Sequence, residues 1–322
     1  MRPLAWLQHI PNTAIGANLL DRHRSERVAG VVSAHPTEVG SARAACSTLL
    51  ERPADPAARA SLAKCAERLL AALRAPSEDD GPLMRGLMQG DAIVRSNGLE
   101  LLDRERFPRR IKDFTMRTLH HTNVVAGSYD RWVEAVTGAV DHQPGAHVYD
   151  LAAGTGGFAR HLASVPGHGL RISSSDRAAE YVGMGMQAAE QAGLETVAWE
   201  VCDALDLRAL RDRRDVDLFL CTQAAHHFDP GPLVQMISQA VASAPRGILI
   251  IDLLRAGTTA LGTAAVAALA AAWPVLMYDG FQSVRRAYTL AEFKLLALLA
   301  GAQSVDARAC GPAWCLVHAR QA

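Results

Sequence analysis

The sequence predicts an α/β fold: a mostly parallel sheet that ends in an antiparallel hairpin and is preceded by a helical segment. Three observations lead there. From about residue 123 onward, short apolar runs alternate with segments of helical period, the pattern of a parallel sheet covered on both faces. The last two runs, 304–309 and 314–319, are joined by the short Cys310-Gly311-Pro312 connection, which cannot hold a crossover helix, so they must pair antiparallel. Residues 1–122 show helical periodicity and carry no cofactor motif.

Taken in order, the clearest N-terminal element is 57–74. There Leu62, Cys65, Ala66, Leu69, Leu70 and Leu73 recur at helical spacing, with Arg59, Lys64, Glu67 and Arg68 between them. The run 75–82, with two prolines and a glycine, breaks the chain. Shorter helices are expected at 83–89, 91–103 and 109–120. This part, 1–122, reads as a helical cap over a site, as a dimerisation element of a homodimer or as a partner-binding module. The core, 123–322, begins with a helix at 129–140. Strands are then expected at 147–151, 170–174, 197–201, 216–221 and 247–252, followed by the final pair. Helices are expected at 158–164, 178–192, 233–243 and 290–300.

Composition bounds the function. The 322 residues suffice for one large domain or two smaller ones, and a hydrophobic content of 49% supplies a sizeable core. Basic and acidic residues balance at 33 each, so there is no basic field for nucleic acid. Lysine is confined to Lys64, Lys112 and Lys294, and arginine and alanine are abundant, as in proteins of GC-rich bacterial genomes. The six cysteines form no C-x-x-C pair and have no histidine cluster beside them. Free thiols are therefore expected, with a Cys310–Cys315 contact across the hairpin as the alternative, and no residue is assigned to a metal. Residues 1–8 lack the apolar run of a secretory signal, which points to the cytoplasm. The uncharged stretch 258–278 is long enough to span a bilayer. It is alanine-rich, has Pro274 near its end and falls between two segments of one sheet, so a buried or pocket-covering helix is expected and no membrane partner.

The most informative segment is Val148-Tyr149-Asp150-Leu151-Ala152-Ala153-Gly154-Thr155-Gly156-Gly157-Phe158-Ala159, a strand, a glycine turn and a helix start. Gly154 and Gly156 let the backbone approach a ligand. The glycines also fit the dinucleotide pattern G-x-G-x-x-G/A, with Asp176 about 20 residues on, where a ribose-binding acid is expected. Asp150 decides between the two. A carboxylate beside the turn repels the pyrophosphate that such turns bind at the helix N-terminus. It attracts a cationic ligand instead.

This segment resembles motif I of the class I S-adenosylmethionine (SAM) dependent methyltransferases, with Ala152 where the family pattern D-x-G-x-G-x-G has its first glycine. The resemblance runs from Asn123 to the C-terminus and implies a Rossmann-like seven-stranded sheet with SAM as cofactor. It implies cofactor contacts from Asp150, Ala152, Gly154 and Gly156. It also implies ribose binding by Asp176 beside Arg177, adenine binding by Asp203 with Ala204, and a lining role for Gln223. In Cys221-Thr222-Gln223-Ala224-Ala225-His226-His227-Phe228-Asp229-Pro230 the His-His-Phe portion resembles the segment after the fourth strand of small-molecule methyltransferases. A histidine there can accept a proton near neutral pH, so His226 and His227 are catalytic candidates beside packing roles. Tyr129, in Tyr129-Asp130-Arg131-Trp132, resembles the family tyrosine that reaches the methionyl end of SAM. Asn123, Tyr278, Asp279 and Arg285 are candidates to face the acceptor.

The first reading is methylation of a small-molecule acceptor on O, N or C, in bacterial secondary metabolism. A second keeps SAM but cyclises it to azetidine-2-carboxylate and methylthioadenosine, with no acceptor. A third is a non-catalytic SAM-binding protein. An NAD-dependent oxidoreductase is opposed by Asp150 and the terminal hairpin. A DNA amino-methyltransferase is opposed by Thr222-Gln223-Ala224-Ala225, where D/N-P-P-Y/F is expected.

Overall fold

The computed structural model describes residues 15–96, 98, 100–102, 107–255, 274–311 and 313–322. Seven strands make one sheet: β1 (His147–Leu151), β2 (Arg171–Asp176), β3 (Val197–Val201), β4 (Leu218–Thr222), β5 (Ile248–Leu253), β6 (Ser304–Cys310) and β7 (Trp314–Arg320). Their order is β3-β2-β1-β4-β5-β7-β6. The first five are parallel, and β7 runs antiparallel to both β5 and β6. All seven expected strands are present, with ends shifted by a residue or two. The chain direction of strand order reverses between β1 and β4, the crevice at which open α/β sheets bind ligands.

Twelve helices are described: α1 (Ile15–Ala34), α2 (Pro36–Glu51), α3 (Pro56–Arg74), α4 (Pro82–Val94), α5 (Arg109–Val125), α6 (Ser128–Ala139), α7 (Gly157–Ser164), α8 (Ala179–Gln191), α9 (Arg208–Arg213), α10 (Pro230–Ser243), α11 (Pro274–Arg286) and α12 (Leu290–Leu299). Asp55 caps α3 by accepting from the Ala58 amide, and Thr289 with Glu292 forms a capping box on α12.

Strand residues alternate between two apolar layers because successive side chains point to opposite faces. Tyr149, Phe219, Cys221, Ile248 and Ile250 join the layer that contains α10 and α12. Val148, Leu218, Leu220, Leu249 and Ile251 join the layer of α6 and α7. The first layer does not stop at α10. Leu49 of α2 and Leu62, Leu69, Leu70 and Leu73 of α3 are buried in the same cluster as Leu233, Ile237 and Leu296. Helix α10 is consequently buried on nearly all sides, from Leu233 through Val241 without a break. At the crossing with α3, Gly231 lets the backbones meet: a Cβ there would lie 2.8 Å from the Ala63 Cα.

One expectation changes. The two helices at 83–89 and 91–103 are one helix ending at Val94, since Gly86 and Gly90 are tolerated within it. Its end is fixed from α11, where Arg285 donates to the Val94 carbonyl and the Ser96 amide donates to the Arg285 carbonyl. The segment holding Tyr278, Asp279 and Arg285 belongs to a helix, α11. The all-uncharged stretch lies up to residue 273 outside the described residues, and among these no helix is long and apolar enough to cross a membrane. Among them also, the cysteines are free. Cys310 pairs with Trp314, and Cys315 with Ala309, so the two thiols project from opposite faces of the hairpin.

Candidate active site

The site is built on the carboxyl ends of β1, β2, β4 and β5. Asp150 ends β1 nearly inaccessible, at 1% exposure. The Thr222 hydroxyl lies 3.3 and 3.4 Å from its two carboxylate oxygens. Burial pushes the Asp150 carboxyl up to about 7; the Thr222 hydroxyl opposes the shift and the charge of Asp176 adds to it.

The turn after β1 needs left-handed backbone at Ala152, Gly154 and Gly156 (φ of 51°, 56° and 62°). Asp176 holds it: its carboxylate accepts from the Gly154 amide at 2.9 Å and from the Ala178 amide at 2.8 Å. Gly156 has a second constraint that the sequence pattern hides. A Cβ there would come 2.5 Å from the Trp199 ring and 2.7 Å from the Ser174 hydroxyl. The glycine is therefore required by the packing of β3 beneath the turn, whatever lies above it. Gly185 of α8 makes room for the same indole.

Helix α5 covers the turn from the other side. Met116, His120 and Asn123 lie on one face of it at helical spacing. A Cβ on Gly154 would be 3.3 Å from Met116 Cε, and one on Gly157 would be 3.0 Å from His120 Nδ1. Burial, together with Arg160 and His161, lowers His120 to about 4, so it is neutral at pH 7. Asn123 donates from its amide to Gln223 Oε1 at 3.0 Å, tying α5 to the end of β4. Tyr129 is buried among His120, Trp132, Phe158 and His161, and burial raises its hydroxyl well above the ordinary value, so it remains a phenol. Asp203 is exposed and accepts from the Leu205 amide in a tight turn, Ala204 is buried behind it, and Arg177 is exposed.

The third part follows β4. Gln223 takes a positive φ (55°), and its amide donates to the Ile251 carbonyl of β5. A short 3₁₀ turn, Ala225–His227, then presents two histidines whose ring centroids are 4.2 Å apart. Asp252, fully buried at the end of β5, accepts from the His226 amide at 2.7 Å and from His226 Nδ1 at 2.6 Å. On the other side of that ring, His226 Nε2 lies 3.6 Å from Oε1 of Glu100. Arg286 of α11 donates to the carbonyls of both histidines, and the Tyr288 hydroxyl to that of Phe228.

Residues 148–246 match the family model described as a methyltransferase domain. That match falls on the β1–β4 region just built, glycine turn and acids included. Over those residues the chain is similar to a methyltransferase domain, and its sheet is the seven-stranded Rossmann-like sheet of that fold.

Solved structures share the fold. The plantazolicin methyltransferase BpumL in complex with SAH superposes with a TM-score of 0.50 at 12% identity, covering 69% of this chain and 95% of that one, a likeness of fold. The mitomycin 7-O-methyltransferase MmcR matches at TM-score 0.46 and 15% identity, over 93% of this chain and 98% of that one. A SAM-dependent methyltransferase from Aquifex aeolicus matches at TM-score 0.41 and 16% identity, over 58% and 88%. No curated protein matches the chain.

Within the core the structure gathers Asp150, Ala152, Gly154, Gly156 and Asp176 around one turn, with Asn123, Gln223 and Tyr129 beside it. His226 and His227 stand together after β4. The three α11 candidates sit differently. Asp279 accepts from the Leu101 and Leu102 amides at 2.6 and 3.1 Å, Arg285 is engaged with Val94 and Gln282, and the Tyr278 side chain is 46% exposed. With Ser283, which donates to Glu100 at 2.6 Å, Asp279 and Arg285 tie α11 to Val94, Glu100, Leu101 and Leu102. Four site residues escaped the sequence reading. Asp252 carried a signal, being an acid at a strand end like the other three. Met116 and His120 lie two turns and one turn before Asn123 on an amphipathic helix. Glu100 lies 126 positions before His226, and no local pattern connects them.

Proposed function

We propose that this protein is a methyltransferase that transfers the methyl group of SAM to a small-molecule acceptor in bacterial secondary metabolism. The observation that carries the reading is the series Asp150, Asp176 and Asp203 at the ends of three adjacent strands, with the glycine turn between the first two. In this reading Asp150 meets the methionyl ammonium. Asp176 uses the lone pairs left free by the Gly154 and Ala178 amides for the ribose hydroxyls. Asp203 and Ala204 border the adenine. Tyr129, protonated, packs behind the methionyl end rather than taking a proton.

The acceptor then lies between α5 and the histidine turn, against Asn123, Gln223, His226 and His227. Its nucleophile attacks the sulfonium methyl in line. The chain supplies alignment and a dry enclosure, and the histidine pair activates the nucleophile. That BpumL, of the same fold, is a plantazolicin methyltransferase seen with SAH supports the donor.

The test is product analysis by mass spectrometry. With SAM alone, the donor should persist. With added hydroxyl- or amine-bearing acceptors, S-adenosylhomocysteine and a product heavier by one methylene should appear together. Methylthioadenosine formed from SAM alone would replace transfer by cyclisation.

A further inference from the structure

We propose that Glu100, His226 and His227 form a site for a divalent transition-metal ion of the zinc type, with an open position on the acceptor side. The three residues come from two distant parts of the chain, yet their ligand atoms all lie within 4.8 Å of one another. Glu100 and His226 are both buried.

The distances distinguish an ion site from a plain hydrogen bond. His226 Nε2 and Glu100 Oε1 are 3.6 Å apart, too far for a hydrogen bond. Two ligands each about 2.1 Å from one tetrahedral ion stand roughly 3.4 Å apart. The hydrogen bonding agrees. Nδ1 of His226 lies 2.6 Å from the Asp252 carboxylate, and the other ring nitrogen, Nε2, faces Glu100. Metal-bound histidines are commonly oriented by a carboxylate on their other ring nitrogen. Glu100 is held likewise, accepting the Ser283 hydroxyl at 2.6 Å. The histidine backbone is clamped by Arg286. Two imidazoles and one carboxylate suit zinc or iron(II), and three protein ligands leave a coordination position open.

The consequence for chemistry rests on the methyl-transfer reading above. An acceptor hydroxyl or thiol in the open position becomes more acidic and releases its proton to solvent. The resulting anion forms a bond to the SAM methyl carbon. The carbon–sulfur bond breaks with its electron pair on sulfur, leaving S-adenosylhomocysteine. The histidine pair thus activates the acceptor through the ion, and the acceptors expected are those with an ionisable hydroxyl or thiol.

The full chain, without added histidines and stripped with a chelator, is titrated with zinc by calorimetry, and bound zinc is counted by elemental analysis after gel filtration. Cobalt(II) is added in parallel, and its visible absorption reports the ligand set. Wild type should bind one equivalent. His227→Ala, at a partly exposed position that folding tolerates, and Glu100→Gln should each lose roughly tenfold or more in affinity, with circular dichroism unchanged. Wild-type binding no tighter than in both variants, or no retained zinc, overturns the proposal. SAM binding is measured separately on the stripped protein: its loss with zinc binding intact sinks the methyl-transfer reading and leaves the metal site standing.

Discussion

At the residue scale, Asp150 carries the most specific consequence. Its carboxyl is raised from 3.8 to about 7, chiefly by burial. The unfolded chain therefore ionises Asp150 first, and the free protein loses stability as pH rises from about 4 to about 7; the loss is complete above that window. SAM binding has the opposite preference, because its ammonium attracts the ionised form. Below pH 7 the α-amino group of SAM stays protonated, so the change in affinity reports Asp150 itself. The dissociation constant for SAM should rise about tenfold per pH unit below 7. In Asp150→Asn, calorimetry should give weaker binding at pH 7.5 with a flat profile between pH 5.5 and 7. Equal slopes in the two proteins would remove Asp150 from the methionyl site. The residue scale is also where the sequence was most and least readable. Asp150, Gly154 and Asp176 follow from strand-end and turn chemistry, which is local. The reason for Gly156 is not local, since it depends on an indole 43 positions later in the chain.

At the scale of elements, the strands were legible because a buried parallel strand is a short apolar run bounded by turn residues. The helices of the N-terminal part were legible as helices, but not where they break. Gly90 looks like a stop, yet nothing lies within 4 Å of a Cβ placed there, and α4 runs through it to Val94. What ends the helix is a contact with α11, about 190 residues away in sequence and invisible to any window. The crossing of α3 and α10 gives a sharp test of the observed packing. Gly231→Ala puts a methyl group 2.8 Å from the Ala63 Cα, which only a backbone shift can relieve. Such overpacking should cost about 1–3 kcal/mol. Gly138→Ala, in an exposed helical position with open space around it, should instead raise stability by about 0.4–1 kcal/mol. Thermal unfolding of the pair reads both signs. A Gly231→Ala protein as stable as wild type would mean that the two helices do not meet there.

At the scale of the whole molecule, α1–α3 and the sheet share a single apolar layer, while α5 lies over the glycine turn. Leu62, Leu69, Leu70 and Leu73 are each at most 1% exposed, and they cover an α10 that is buried from Leu233 through Val241. A chain starting at Asn123 should therefore unfold without a cooperative transition or aggregate, and bind SAM poorly. A soluble monomer with cooperative unfolding and unchanged SAM affinity would show that the N-terminal helices are dispensable. All of this serves one claim, that the turn between β1 and α7 holds SAM. The acid at the end of β1 excludes pyrophosphate and the order of strands places the ligand at the β1–β4 crevice. Calorimetric titration of the purified chain with SAM, S-adenosylhomocysteine and NAD tests it directly. The account predicts saturable one-to-one binding of SAM and S-adenosylhomocysteine with no heat from NAD, and tight NAD binding without SAM binding would contradict it.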